Sequence, residues 1–79
     1  MLTRAGFLRA LEEILGADAR SLKDEDSRDT IAQWTSLADV QIFTLITDEF
    51  GIEPDQKLID AETIGDLVAV LEGRGAFDA

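Results

Sequence analysis

The sequence contains neither cysteine nor histidine. Without cysteine it can form no disulfide and no thiolate metal site, and without histidine it lacks the commonest general base and metal ligand. Its apolar runs are too short to span a bilayer, and its first residues lack the apolar core of a signal peptide. We therefore expect one soluble, cytoplasmic domain that includes residues 1–79 and has no contact with a membrane.

Basic residues are also scarce. Seven Lys and Arg stand against seventeen Asp and Glu, which gives a net charge of -10. Residues 1–28 have a net charge of -1, whereas residues 29–79 have a net charge of -9. An acidic surface repels phosphate backbones and attracts proteins with basic patches, so we expect protein partners and no nucleic acid. The charge alone is equally consistent with a surface that only keeps a small domain in solution.

Apolar residues recur at helical spacing and predict an all-α protein. Helices are predicted from Thr3 to about Leu15, from near Thr35 and Ser36 to near Gly51, from Gln56 to Asp60, and from Thr63 to about Gly73. The result is a four-helix bundle with three main helices, one short helix and a long first loop. The second helix has a predicted core face made of Ile42, Phe43, Ile46 and Phe50.

The segments outside these helices carry two further expectations. Residues 17–34 form a connection too long to be left free in a small domain, and Leu22, Ile31 and Trp34 are the apolar residues available to anchor it. After Gly73 and Gly75, the tail to Ala79 is expected to fray.

Most catalytic and metal-binding motifs are excluded by the residues themselves. Asp24 and Asp26 suggest a calcium loop, but Arg28 occupies the third ligand position and Asp29 the required glycine position. No glycine-rich phosphate loop precedes a helix, and no pair of carboxylates has the spacing of an acid and a base. The sequence therefore predicts a protein that is not an enzyme and has no metal site that can be named, with a helical metal sensor as a further alternative.

Ser36 is distinguished by its position at the start of the second helix. Thr35 is the predicted N-cap, with its hydroxyl accepting a hydrogen bond from a backbone amide. A phosphodiester on Ser36 would lie at the positive end of the helix dipole, near free amides. Serine is also common at helix starts for purely structural reasons, so this position alone does not distinguish the two interpretations.

Three segments together resemble the acyl carrier protein family: residues 34–40 (WTSLADV), 48–55 (DEFGIEPD) and 63–68 (TIGDLV). Their order and separations match those of the family over essentially the whole chain. The resemblance implies that Ser36 receives covalent 4'-phosphopantetheine, the cofactor of the family, whose thiol holds acyl or aminoacyl groups as thioesters. It therefore implies a monomeric carrier for fatty acid or secondary metabolite biosynthesis.

The resemblance also implies the partners and where they dock. A phosphopantetheinyl transferase would attach the arm, and acyl-activating enzymes or acyltransferases with basic docking patches would use it. Docking would involve Leu37, Asp39, Val40, Asp48 and Glu49 on the second helix. Of these, Asp39 lies near the core side in a helical projection.

Two residues differ from the usual pattern of the family. Thr35 precedes the serine where the family usually has Asp, and Trp34 stands where fatty-acid carriers often have a small residue. These differences indicate a specialised member of the family. They also leave open an alternative function, in which the carrier fold serves as an interaction module that is never modified.

Overall fold

The computed structural model describes residues 2–77, and in this part of the chain it contains helices but no strand. The four helices are α1 (Arg4–Leu15), α2 (Ser36–Phe50), α3 (Gln56–Asp60) and α4 (Ile64–Gly73). The prediction of an all-α protein with three longer helices and one short one is confirmed. None of the helices in residues 2–77 is long and apolar enough to cross a membrane.

The ends of α1 follow from residues that favour helix caps. Thr3 Oγ1 accepts a hydrogen bond from the Gly6 amide at 3.0 Å, which satisfies one of the free amides of the first turn. Gly16 ends the helix with a φ of 64°, a left-handed conformation that glycine adopts without strain. The apolar face of α1 therefore begins and ends where the periodicity predicts.

One hydrophobic core joins the four helices, with α1 packed against α2 and α3 against α4. Its largest fully buried side chains are Phe7, Leu11, Leu15, Ile42, Ile46, Leu58, Ile64, Leu67 and Leu71. On the predicted core face of α2, Ile42 and Ile46 are buried, whereas Phe43 and Phe50 are half-buried at its edge. The predicted face of α2 does pack against the core, but only its two isoleucines are fully buried.

The long loop is anchored to the core by its apolar residues, as predicted. Trp34 is buried, and Leu22 and Ile31 pack partly buried against the core. A polar anchor that the sequence did not predict lies at the start of the loop. There the buried Glu12 carboxylate accepts hydrogen bonds from the Arg20 amide at 2.6 Å and from Arg9 Nε at 2.9 Å.

The middle of the loop attaches to the start of α4. The carbonyls of Asp24 and Asp26 accept hydrogen bonds from the amides of Gly65 and Ile64, each at 2.9 Å. A Cβ atom on residue 65 would lie 3.1 Å from the Asp24 carbonyl oxygen, so glycine allows the loop to approach closely. The loop is consequently held at both ends and in its middle.

The start of α3 is tied to the end of α4. Asp55 caps α3 by accepting from the Leu58 amide at 3.2 Å, and it also pairs with Arg74. Partial desolvation raises the pKa of Asp55, but the Leu58 amide and the Arg74 guanidinium together lower it below its ordinary value of 3.8. The charged form is favoured in the folded state, so this contribution to stability is present above pH 3.8 and is lost as the pH falls through the lowered pKa.

The expectation of a frayed tail is wrong for residues 76 and 77. Ala76 is buried, and the Phe77 ring lies 5.6 Å from Phe7 and 5.5 Å from Phe50, measured between ring centroids. These contacts bury aromatic surface that α1 and α2 would otherwise expose, which is why the chain stays packed beyond Gly75. The rest of the predicted tail, residues 78 and 79, lies outside the described residues.

Candidate functional site

Ser36 is the first residue of α2, and its side chain is exposed. Its hydroxyl forms no hydrogen bond within residues 2–77, so no intramolecular contact would have to break for the oxygen to react. The other two serines differ from it. Ser21 Oγ donates to the Asp18 carbonyl at 2.7 Å, and Ser27 Oγ accepts from the Asp29 amide at 3.1 Å.

The predicted role of the Thr35 hydroxyl is wrong. Thr35 is the N-cap of α2 and has extended backbone, but its side chain forms no capping hydrogen bond. The amides of residues 36–38 also lack an acceptor in the described part of the chain, while the Asp39 amide is the first to bond, donating to the Thr35 carbonyl at 3.0 Å. An uncapped helix end leaves polarised N–H groups beside the Ser36 hydroxyl, where they favour an anion.

The predicted docking residues on α2 differ in exposure: three are exposed to solvent, whereas Asp39 and Glu49 are partly buried. Leu37 and Val40 are 68% and 61% exposed, which is unusual for large aliphatic side chains, and Asp48 is also exposed. Glu49 is half-buried. Val40 and Asp48 also border an open groove, mostly apolar, that is lined by Val40, Phe43, Thr44, Thr47, Asp48 and Pro54.

Asp39 is not part of this exposed surface. Its carboxylate accepts a hydrogen bond from Trp34 Nε1 at 2.7 Å and forms an ion pair with Arg28, also at 2.7 Å. The Asp39 side chain is only 23% exposed, because the loop covers it. A carboxylate already engaged with a cation and an indole offers little charge to a partner.

The contact among Arg28, Trp34 and Asp39 was not predicted from the sequence. The hydrogen bond between Trp34 and Asp39 could have been predicted, because Asp39 projects toward the core side of α2 and a buried indole N–H needs an acceptor. The ion pair between Arg28 and Asp39 could not have been predicted, because the loop conformation that brings residue 28 to residue 39 has no periodic pattern.

No group of three or more acidic side chains in residues 2–77 is arranged to hold a metal ion.

In comparisons with known proteins, no family model, no curated protein and no solved structure matches this chain.

Proposed function

We propose that the chain is a non-catalytic acyl carrier, with its helices arranged as a carrier-type bundle and 4'-phosphopantetheine attached at Ser36. The observation that carries the proposal is the exposed, unbonded Ser36 hydroxyl at the uncapped start of α2. The residues fit the cofactor, because a phosphodiester on Ser36 Oγ would lie beside the free amides of residues 36–38. When bound, the cofactor supplies a thiol that carries acyl or aminoacyl groups.

The only group of this chain that reacts in the attachment is the Ser36 hydroxyl, which is the nucleophile. Ser36 Oγ attacks the β-phosphorus of the coenzyme A pyrophosphate, and a new P–O bond forms. The bond from that phosphorus to the bridging oxygen breaks, and adenosine 3',5'-bisphosphate leaves. The hydroxyl proton passes to a base on the transferase, which is consistent with a chain that has no histidine.

We expect the protein to gain the mass of one phosphopantetheine group when it is incubated with coenzyme A and a phosphopantetheinyl transferase. Intact-mass spectrometry measures this gain directly. An unchanged mass with several transferases of broad specificity would refute the proposal. In that case the alternative function, an unmodified interaction module, predicts that partner complexes form equally well with Ser36→Ala.

Docking is assigned to the exposed side of α2. Leu37 and Val40 supply apolar contact area next to Ser36, and the net charge of -9 over residues 29–79 favours a partner with a basic patch. The proposed partners are cytoplasmic: the transferase first, and then the enzymes that load and unload the thiol. Asp39 is left out of this surface because its carboxylate is engaged within the chain.

Replacing Leu37 with glutamate should weaken docking without unfolding the protein. We expect the KM of the transferase for the carrier to rise about tenfold, which corresponds to ~1.4 kcal/mol, with kcat nearly unchanged. Ile59→Glu is the matched control, since Ile59 is an exposed aliphatic residue on α3 rather than α2. Equal KM values for the two variants would contradict a docking surface at Leu37.

A further inference from the structure

The side chains of Arg28, Trp34 and Asp39 form a cluster next to the turn that carries Ser36. Asp39 Oδ1 accepts from Trp34 Nε1 at 2.7 Å, and both Asp39 oxygens lie 2.7 Å from one Arg28 nitrogen. The Arg28 guanidinium also lies over the Trp34 ring, 5.0 Å from its centroid. Each member therefore contacts the other two, and the cluster joins the long loop, the residue two positions before Ser36 and the first turn of α2.

The cluster fixes the turn from both sides. Trp34 is 3% exposed, so its indole is held by the core, and Asp39 bonds to it across residues 35–38. The Asp39 amide closes the same turn by donating to the Thr35 carbonyl at 3.0 Å. Ala38, between them, is buried in the core. One backbone bond and one side-chain bond thus enclose the segment that carries Ser36.

Arg28 also neutralises the charge that Asp39 places in this turn. An unpaired carboxylate one turn from Ser36 would repel a phosphodiester, whereas the ion pair removes most of that repulsion. Arg28 is itself held in place because the adjoining Ser27 pairs with Thr63 at the start of α4. The cluster therefore connects the start of α2 to that of α4 through the loop.

We propose that Asp39 is a positioning residue for the modification of Ser36, acting through Trp34 and Arg28. It holds the uncapped turn in the conformation that presents the Ser36 hydroxyl to the transferase, and it does so in place of a side-chain cap from Thr35. This inference rests on the proposed function and adds residues that do not themselves touch the cofactor.

The test compares Asp39→Ala and Asp39→Asn with wild type in the transfer of phosphopantetheine from coenzyme A. Asp39→Ala removes the acceptor and the charge, and we expect kcat to fall about tenfold with KM little changed, since orientation is lost while docking is kept. Asp39→Asn keeps an acceptor for Trp34 Nε1 and should recover part of the rate. Asp18→Asn is the matched control, an exposed aspartate of the long loop.

Amide hydrogen exchange supplies a second readout. In Asp39→Ala the amides of Val40 and Gln41, in the first turns of α2, should exchange faster, while that of the buried Ile46 keeps its relative protection. Rates are corrected for the folded fraction. If Asp39→Ala does not fold, Trp34→Phe replaces it, a variant that keeps one aromatic ring and removes the indole N–H together with its five-membered ring.

The outcomes separate the two proposals. If wild type is modified and Asp39→Ala is modified as fast as Asp18→Asn, the positioning role is wrong. A loss of rate that only follows the folded fraction overturns it equally. If wild type itself is never modified, the proposed function fails instead.

Discussion

Replacing Ser36 with alanine is expected to abolish the coenzyme A-dependent gain in mass and to leave the fold intact. The loss should be complete, because alanine has no oxygen to attack phosphorus. Stability should change by no more than about 0.5 kcal/mol, since the Ser36 hydroxyl is exposed and forms no hydrogen bond within residues 2–77. Intact mass and circular dichroism on the same sample measure both effects.

Ser27→Ala and Ser21→Ala are the controls for this variant. They remove the other two serine hydroxyls of the chain, each of which is hydrogen-bonded to the loop backbone. Both variants should still gain the mass of one group. A full gain in Ser36→Ala would show that the modification occurs elsewhere.

Replacing Phe7 with alanine is expected to remove a large part of the stability of the domain. The ring is fully buried and contacts Phe50 and Phe77. Truncation of such a residue costs about 3–5 kcal/mol. Domains of this length have a free energy of unfolding of roughly 4–12 kcal/mol, so Phe7→Ala should remove between about a quarter and all of it. Urea denaturation followed by circular dichroism measures the loss.

Phe7→Leu is the matched control for packing at this position. Leucine keeps most of the buried apolar surface, and we expect it to cost roughly 1–2 kcal/mol. If Phe7→Ala cost less than Phe7→Leu, the burial of the Phe7 ring against Phe50 and Phe77 would not be a main source of stability.

The periodicity of the apolar residues was sufficient to predict where the helices begin and end. The bounds of α3 agree with the prediction, and α1, α2 and α4 agree to within a residue or two, because their apolar stripes are regular and Thr3, Gly16, Gly51 and Thr63 favour caps. The exposed position of Ser36 at the start of α2 follows from the same pattern.

The errors lie where a contact is made between distant parts of the chain. The burial of Glu12 was not predicted, because it depends on the bond between its carboxylate and the loop amide of Arg20. Phe77 was expected in a frayed tail, but it packs on two rings that are far away in sequence. The pairing of the Asp39 carboxylate with Arg28 of the loop was likewise not predicted. No local pattern encodes these pairings, since each depends on the path of the connecting segment.

The most direct measurement is fragmentation mass spectrometry of the protein after its reaction with coenzyme A and a transferase. Attachment at Ser36 predicts that one phosphopantetheine group is found on the peptide containing residue 36 and that the fragment ions assign it to the Ser36 side-chain oxygen. A group found on any other side chain, or no group at all under conditions that modify a known carrier, would contradict it.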